Sequence, residues 1–514
     1  DKPHWIKGVN EEHERFKKHK VFKAVPRSQV PPRHKILTST WAMKKKANGT
    51  YRARLNARGY EQVPGKHYDP DSIAAPVTSD VTIRIILTLA LLARWYMELV
   101  DVKGAFLHGE FEEGETLYME IPEGFEQYYP IEFVWMMLRT IYGLKQAAVA
   151  FWKQLILAFA SMNYRRSKAD PCLYFDWTKV GLVVWISWVD DCLVAGKKEG
   201  VIVAKNQMTA RFDCEELGKV DEYVGCKVER NYEENSIKLT QPVMLQSFED
   251  EFNLPNGPAP NTPATPGSAL VKADPEDNIP ADELFKYRSG VGKLLHMMRW
   301  SRPEILNAVR EESRYMSGAS LAHVKAMHRT MKYCVGTPER GLLLKPVGKW
   351  DGNPSYEFVI SGRSDSDYAK DTDTRRSVSG TSTFLNGSPI HTRSNTQKSV
   401  TLSVTEAELV AATQCAQDML FAMRVIESMG LKVKKPMILE IDNKGAVDLT
   451  HNWSVGGRTR HVEVRQYFLR DLKEDGVIWS KWISGDSNSS DLFTKNLGGP
   501  LFEKHLSTYC GDYG

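Results

Sequence analysis

Residues 183–198 read VVWISWVDDCLVAGKK. Two adjacent aspartates, Asp190 and Asp191, interrupt a run that is otherwise apolar enough for buried β-structure. An unpaired carboxylate is costly to bury. Two side by side repel, so both stay ionised only where a cation compensates them. The flanking runs GLVVWISWV and CLVAGK are expected to pair as a hairpin with the aspartates at its bend. Oxygen-only ligation by carboxylates suits Mg2+, which keeps several waters and takes further ligands from substrate phosphates. Chemistry with two metals about 4 Å apart asks for a third acid on a neighbouring strand. Asp101 qualifies, because it ends an apolar strand, 97–100, in YMELVDVKGAFLHGE. For Asp-Asp alone a turn cap is the ordinary explanation; the matching context of Asp101 tips the balance to a metal site.

The rest of the chain can house such a site. Its 514 residues suggest three or four domains. Hydrophobic residues at 42% and charged residues at 26% leave material for a large core. The longest apolar run, IRIILTLALLARW at 83–95, is too short and interrupted to span a bilayer. Seven scattered cysteines without a C-x-x-C pair argue against a zinc site or disulfide framework and for a reducing compartment. Net charge is only +4, but ERFKKHK (14–20) and MKKKANGTYRARLNARGY (43–60) gather positive charge near the N-terminus. That pattern fits a solvated surface as well as a polyanion site. The chain opens on DKPHW without a methionine, which points to a piece of a longer polypeptide.

Residues 1–250 mix strands and helices. STWAMKKKANGTYRARLNARGY predicts a hairpin turning at Asn48-Gly49. DVTIRIILTLALLARW predicts a mostly buried helix, and residues 145–164 a second helix. Residues 251–280, dense in Pro, Gly, Asn and Ala, form a linker or exposed loop. Residues 281–345 are helical, and a loop near 345–355 precedes a second mixed domain, 356–510, with a long helix stopped by Gly430.

LVDVKGAFLHG, IYGLKQAAVAFW and WVDD stand in the order and approximate spacing of reverse-transcriptase motifs. With YRARLNARGYEQVPGKHYDPDSIAAPV, SRPEILNAVREESRYMS, SDSDYAKDTDTRRSVSGTSTFLNGSPI, VTEAELVAATQCAQD, IDNKGAV and SSDLFTKNL, the chain resembles the pol polyprotein of copia-type (Pseudoviridae) LTR retrotransposons from about residue 20 to residue 505. The resemblance implies a multidomain α/β (α+β) fold: a right-hand polymerase with fingers, palm and thumb, followed by an RNase H-like mixed-sheet domain. Fingers and palm fall in 1–250, a linker in 251–280, a helical thumb or connection in 281–345, and the RNase H-like domain in 356–510. The implied activities are RNA-directed and DNA-directed DNA polymerisation and RNase H cleavage. Two Mg2+ per active site are implied, with Mn2+ as a substitute. The implied partners are an RNA template, a DNA primer, an RNA/DNA hybrid, dNTPs, and integrase or other products of the same polyprotein. The implied setting is a cytoplasmic virus-like particle and later the nucleus.

Residue by residue, Asp101, Asp190 and Asp191 become the polymerase carboxylates, with the Val102 carbonyl completing one metal's shell. The resemblance implies that Phe106 stacks under the incoming sugar and excludes a 2′-hydroxyl; read on its own residues, it is as well explained as core. Gly143 permits close backbone approach, and Gln146 hydrogen-bonds template or nucleotide. Arg52 and Arg54 alternate out of the fingers hairpin and suit phosphate oxygens; which of them grips the triphosphate stays open, as does plain surface charge. The family's aromatic before V-D-D is Tyr where this chain has Trp188, and its Ala-Pro-Arg-x-Trp segment is here AAVAFW. The nuclease acids are Asp365, Glu408, Asp442 and Asp491, all candidate metal ligands. Glu406 is the alternative to Glu408, and Asp367 to Asp365. Arg458, Arg460 and His461 are candidate backbone contacts. Two rival readings remain: a degenerate copy that only binds nucleic acid, and a chain active only as a ribonuclease H.

Overall fold

The computed structural model describes residues 2–45, 49–451 and 463–511. Two compact units emerge, and they do not follow chain order. One comprises residues 1–78, 97–167 and 171–218; the other comprises 79–96, 168–170 and 219–514.

The first unit is built on a six-stranded sheet. Its order is Cys214–Lys219, Tyr96–Val102, Asp191–Gly196, Gly181–Trp188, Leu173–Thr178, Arg165–Arg166. The expected hairpin is present: Val183 pairs with Gly196 and Trp188 with Asp191, leaving Val189 and Asp190 as the bend. Val189 has φ +57°, the positive value a two-residue hairpin turn needs at its first position. A β-branched residue there stores strain on the order of 1–3 kcal/mol. Strands Ser39–Lys45 and Tyr51–Ala57 form the second hairpin, Ser39 opposite Ala57 and Lys45 opposite Tyr51; the turn residue Asn48 lies outside the described residues. A four-stranded sheet carries a core in which Trp135 stacks on Phe22 at 3.7 Å and packs with Phe16 and Phe125.

The second unit contains helix Asp80–Leu92, all thirteen residues of which are buried. Its start is capped by Ser79 Oγ, which accepts from Val81 N. Helices Ala281–Trp300, Leu306–Ser313 and Leu321–Val335 share one core with Phe384, Phe493 and Tyr509. A mixed five-stranded sheet follows, ordered Ser388–Thr396, Val378–Leu385, Ile360–Asp367, Met437–Ile441, Ile478–Trp482. Its first three strands are antiparallel and its last three parallel. The helix Val404–Ser428 ends two residues before Gly430, whose φ of +79° makes it the left-handed stop. Asp491 stands in a short 3-10 turn, Ser489–Phe493, capped by Asn488, rather than at the start of the final α-helix, Gly499–Leu506. Among the described residues no helix is long and apolar enough to cross a membrane.

Candidate functional sites

Adjacent strands bring Asp101 and Asp190 into one cleft. Asp101 is the penultimate residue of Tyr96–Val102, and Asp190 is in the bend of the neighbouring hairpin. The two segments are tied where Val102 N donates to the Asp190 carbonyl at 3.1 Å. Asp101, Val102, Asp190, Arg52, Arg54 and Tyr142 all line a cleft of about 270 Å³. Asp191 opens the next strand opposite Trp188 and is not among the cleft's lining residues. Burial, and then the charges of Asp190 and Glu215, push the Asp101 carboxyl above its ordinary range, while Arg52 and Arg54 pull it back. Burial and the neighbouring Arg54 lower the Arg52 guanidinium. The Arg54 guanidinium lies 4.8 Å from the centre of the Tyr142 ring.

Phe106 sits on the 3-10 turn Ala105–His108 and meets Tyr142 edge-on at 5.2 Å. Gly143 has φ +89°, and an added Cβ would lie 2.2 Å from the Ala57 carbonyl oxygen. Close backbone approach there is between two parts of this chain. Gln146 is buried. Its amide oxygen accepts from Gln62 Nε2 at 2.9 Å, and its nitrogen donates to the His67 carbonyl at 2.8 Å. It lines a second cleft, beside Tyr68 and Lys153, and not the one that holds Asp101. The first cleft also takes Glu12 and Arg15 from helix Lys2–Lys18. Nothing in the sequence singled these out beyond the general positive charge of residues 14–20, because an ion pair across one helical turn looks like any solvated face.

The second acidic set lies on the mixed sheet. Asp365 is on Ile360–Asp367, Asp442 directly follows the parallel strand Met437–Ile441, and Glu408 comes from the helix Val404–Ser428. One carboxylate oxygen from each lies within 4.8 Å of the others. Glu408 Oε1 accepts from the Ser366 N–H at 3.1 Å and its hydroxyl at 2.8 Å. Its Oε2 is buried with no hydrogen-bond partner among the described residues. Burial, then the charges of Asp365 and Asp442, push Glu408 well above the usual carboxylate range. Burial and Asp365 raise Asp442 as well. Asp491 is pushed up to about 7 by burial and Asp365. Lys495 Nζ bonds Asp491 at 2.8 Å and Asp365 at 3.3 Å.

Glu406 is elsewhere. Its Oε2 accepts from Leu402 N at 2.7 Å and its own N–H donates to Ser403 Oγ at 3.1 Å, so it closes the helix start. Asp367 pairs with Lys370 at 3.3 Å. Arg458, Arg460 and His461 lie outside the described residues. Oxygen-only donors, the raised carboxyls of Glu408 and Asp442, and a buried Glu408 oxygen without a partner among the described residues fit a hard divalent cation.

A family model for reverse transcriptase (RNA-dependent DNA polymerase) matches residues 19–266. The chain is 31% identical to the retrovirus-related Pol polyprotein from transposon TNT 1-94 of Nicotiana tabacum, over 98% of this chain and 37% of that protein. It is 27% identical to the corresponding polyprotein from transposon RE1 of Arabidopsis thaliana, over 93% of this chain and 32% of the relative. The chain thus spans about a third of the length of these relatives. In fold it is similar to the dRH form of the foamy viral protease-reverse transcriptase solved in complex with ds DNA, with a TM-score of 0.51 and 11% identity over 93% of this chain and 69% of that one. The mixed α/β architecture, the matched segment and the retrotransposon relatives agree: residues 19–266 are a reverse transcriptase domain, in a chain that is similar over nearly all its length to retrotransposon Pol polyproteins.

Proposed function

We propose that the chain is an RNA-directed DNA polymerase that also copies DNA, and that it carries a ribonuclease H for RNA in RNA/DNA hybrids. The observation that supports the polymerase most is the meeting of Asp101 and Asp190, from adjacent strands, with Arg52 and Arg54 in one cleft. In this reading Asp101 and Asp190 hold two Mg2+, and Asp191 and the Val102 carbonyl assist. Arg52 and Arg54 receive the triphosphate of a dNTP through paired N–H donors. Phe106, braced by Tyr142, bounds the sugar. In the nuclease, Asp365, Glu408, Asp442 and Asp491 hold the cations and Lys495 balances their charge. When bound, the metals supply Lewis acidity and neutralise charge on the phosphate under attack. Template and primer enter as a duplex whose phosphates dominate affinity. Fingers and palm over 1–250, linker 251–280, thumb or connection 281–345 and nuclease 356–510 belong to the same proposal, as do integrase as a partner and a cytoplasmic virus-like particle as the setting.

Primer extension on an RNA template with Mg2+ tests the polymerase. Wild type should incorporate dNTPs and Asp190→Asn should fall to background; equal incorporation by both, or none by either, sinks the reading. Digestion of labelled RNA in a hybrid, with Asp442→Asn as the inactive control, tests the nuclease separately. Activity in the second assay alone would establish the ribonuclease-only reading, which the tighter assembly of its acids favours.

A further inference from the structure

The cleft that holds Asp101 and Asp190 is lined in part by helix Lys2–Lys18, which precedes the matched segment 19–266. Three features seat that helix on strand Tyr51–Ala57. A Cβ on Gly8 would already lie 3.4 Å from the Tyr51 carbonyl oxygen. His4 stacks on the Tyr51 ring at 5.0 Å, and Trp5 meets it edge-on at 4.8 Å. Glu12, only 1% exposed, accepts from Leu55 N at 3.3 Å with one oxygen and from Arg15 Nη1 at 2.6 Å with the other.

Arg15 is therefore aimed. Its Cδ lies 3.7 Å from where a Cβ on Gly104 would be, which lays its stem against the turn that follows Asp101, Val102 and Lys103. Among the described residues Glu12 is the one side-chain partner of its guanidinium, a group with five N–H donors in a planar fork. Three arginines of one cleft, Arg15, Arg52 and Arg54, surround the same buried carboxylate electrostatically.

We propose that Arg15 is a third arginine for the polyphosphate of the incoming nucleotide, and that Glu12 is the positioning residue that holds it in the cleft. The proposal rests on the polymerase reading above. Its chemistry is that of a multiply charged anion: guanidinium forks bind phosphate oxygens in pairs. Three such groups in so small a cleft repel one another unless a buried acid balances them. Glu12 supplies that balance and, through Leu55 N, fixes the helix to the strand that carries Arg52 and Arg54. Helix Lys2–Lys18 is then part of the nucleotide site.

The test uses the full chain and two readouts, equilibrium binding of dTTP with Mg2+ and steady-state primer extension. Arg15→Met should bind dTTP about tenfold more weakly, a loss typical of one charged hydrogen-bonding group. KM for dTTP should rise by the same factor with kcat little changed. Arg15→Gln, which keeps a donor for Glu12 and so the seat of the helix, should bind as weakly, and Arg15→Lys should recover part of the loss. Lys17→Met, on the same helix and exposed, should change nothing. Unchanged dTTP binding in Arg15→Gln, equal weakening in Lys17→Met, or no dTTP binding by wild type would overturn the proposal. If wild type binds dTTP and Arg15→Gln binds it weakly, but neither extends a primer, the contact of Arg15 with a nucleotide polyphosphate stands and the polymerase reading falls.

Discussion

Glu312 shows what one buried acid does to a fold. It lies on helix Leu306–Ser313 and is fully enclosed: Thr330 Oγ1 donates to its Oε1 at 2.6 Å, and its Oε2 has no partner among the described residues. Burial, and then the charge of Glu311, push its carboxyl up to about 8, against the hydroxyl's opposing pull. A carboxyl raised in the folded state keeps its proton there after the unfolded chain has lost it. The linked stability is present below the unfolded value of about 4.3 and is lost as pH rises towards 8. The melting temperature should therefore fall between about pH 5 and 8 through this group. Glu312→Gln, which removes the charge and keeps the shape, should flatten that slope and be about 1–3 kcal/mol more stable at pH 8. Parallel slopes in wild type and variant, by thermal unfolding across that range, would refute the assignment. Residue-scale legibility in the sequence was uneven for a related reason. Glu408 and Glu406 are two residues apart and so about 200° apart around the helix. Only packing shows that the first faces Asp365 and Asp442 while the second caps the helix start.

At the scale of elements, helix Asp80–Leu92 was legible as buried because its sequence is apolar on nearly every side. What the sequence left open was the surroundings of its one arginine. Arg84 pairs with Asp80 at 3.5 Å, donates to the Ile390 carbonyl at 3.3 Å, and also bonds the Arg299 carbonyl. Asp80 in turn receives Arg299 Nη2 at 3.0 Å. Burial works against the charge of Asp80, but Arg84, His391 and Arg299 together hold its carboxyl below the ordinary range. Removing one member strands the others. Arg84→Leu should cost about 3–5 kcal/mol, against less than about 1 kcal/mol for breaking the exposed Lys17–Glu14 pair. Urea unfolding of the two variants makes the comparison, and similar small losses would show that the network carries no stability. The hairpins were read more fully, since a period of two and a two-residue turn fix pairing and register together. The N-terminal helix went unread, because its buried face contains Gly8, Glu12 and His13 as well as Phe16, a pattern that hydrophobic periodicity does not register.

At the scale of the whole molecule, chain order and compactness part ways. Residues 79–96 lie in sequence between the hairpin of strands Ser39–Lys45 and Tyr51–Ala57 and Asp101, yet they cluster with residues 219–514. The contacts explain why: Arg84 reaches the carbonyls of Arg299 and Ile390, and Arg230 Nη1 donates to the Trp95 carbonyl at 2.7 Å. Trp95 also packs on Trp350, with ring centres 5.4 Å apart. These partners come from helix Ala281–Trp300, from strand Cys226–Asn231, from strand Ser388–Thr396 of the mixed sheet and from the loop that holds Trp350. Motifs ordered along a chain mark where each kind of chemistry is encoded, but not which segments share a core, since a core is assembled from contacts distant in sequence. A fragment of residues 1–250 would keep every residue proposed for the polymerase site, yet expose the helix whose thirteen residues are all buried in the 514-residue chain. Apolar surface of that extent drives association. We expect the fragment alone to aggregate or elute as large oligomers, and co-expression with residues 251–514 to return a soluble complex that co-purifies. Size-exclusion chromatography of the fragment with and without its complement decides it. A monomeric fragment 1–250 that unfolds cooperatively would mean that this helix finds adequate cover without the C-terminal half, and that the second unit's hold on it is dispensable.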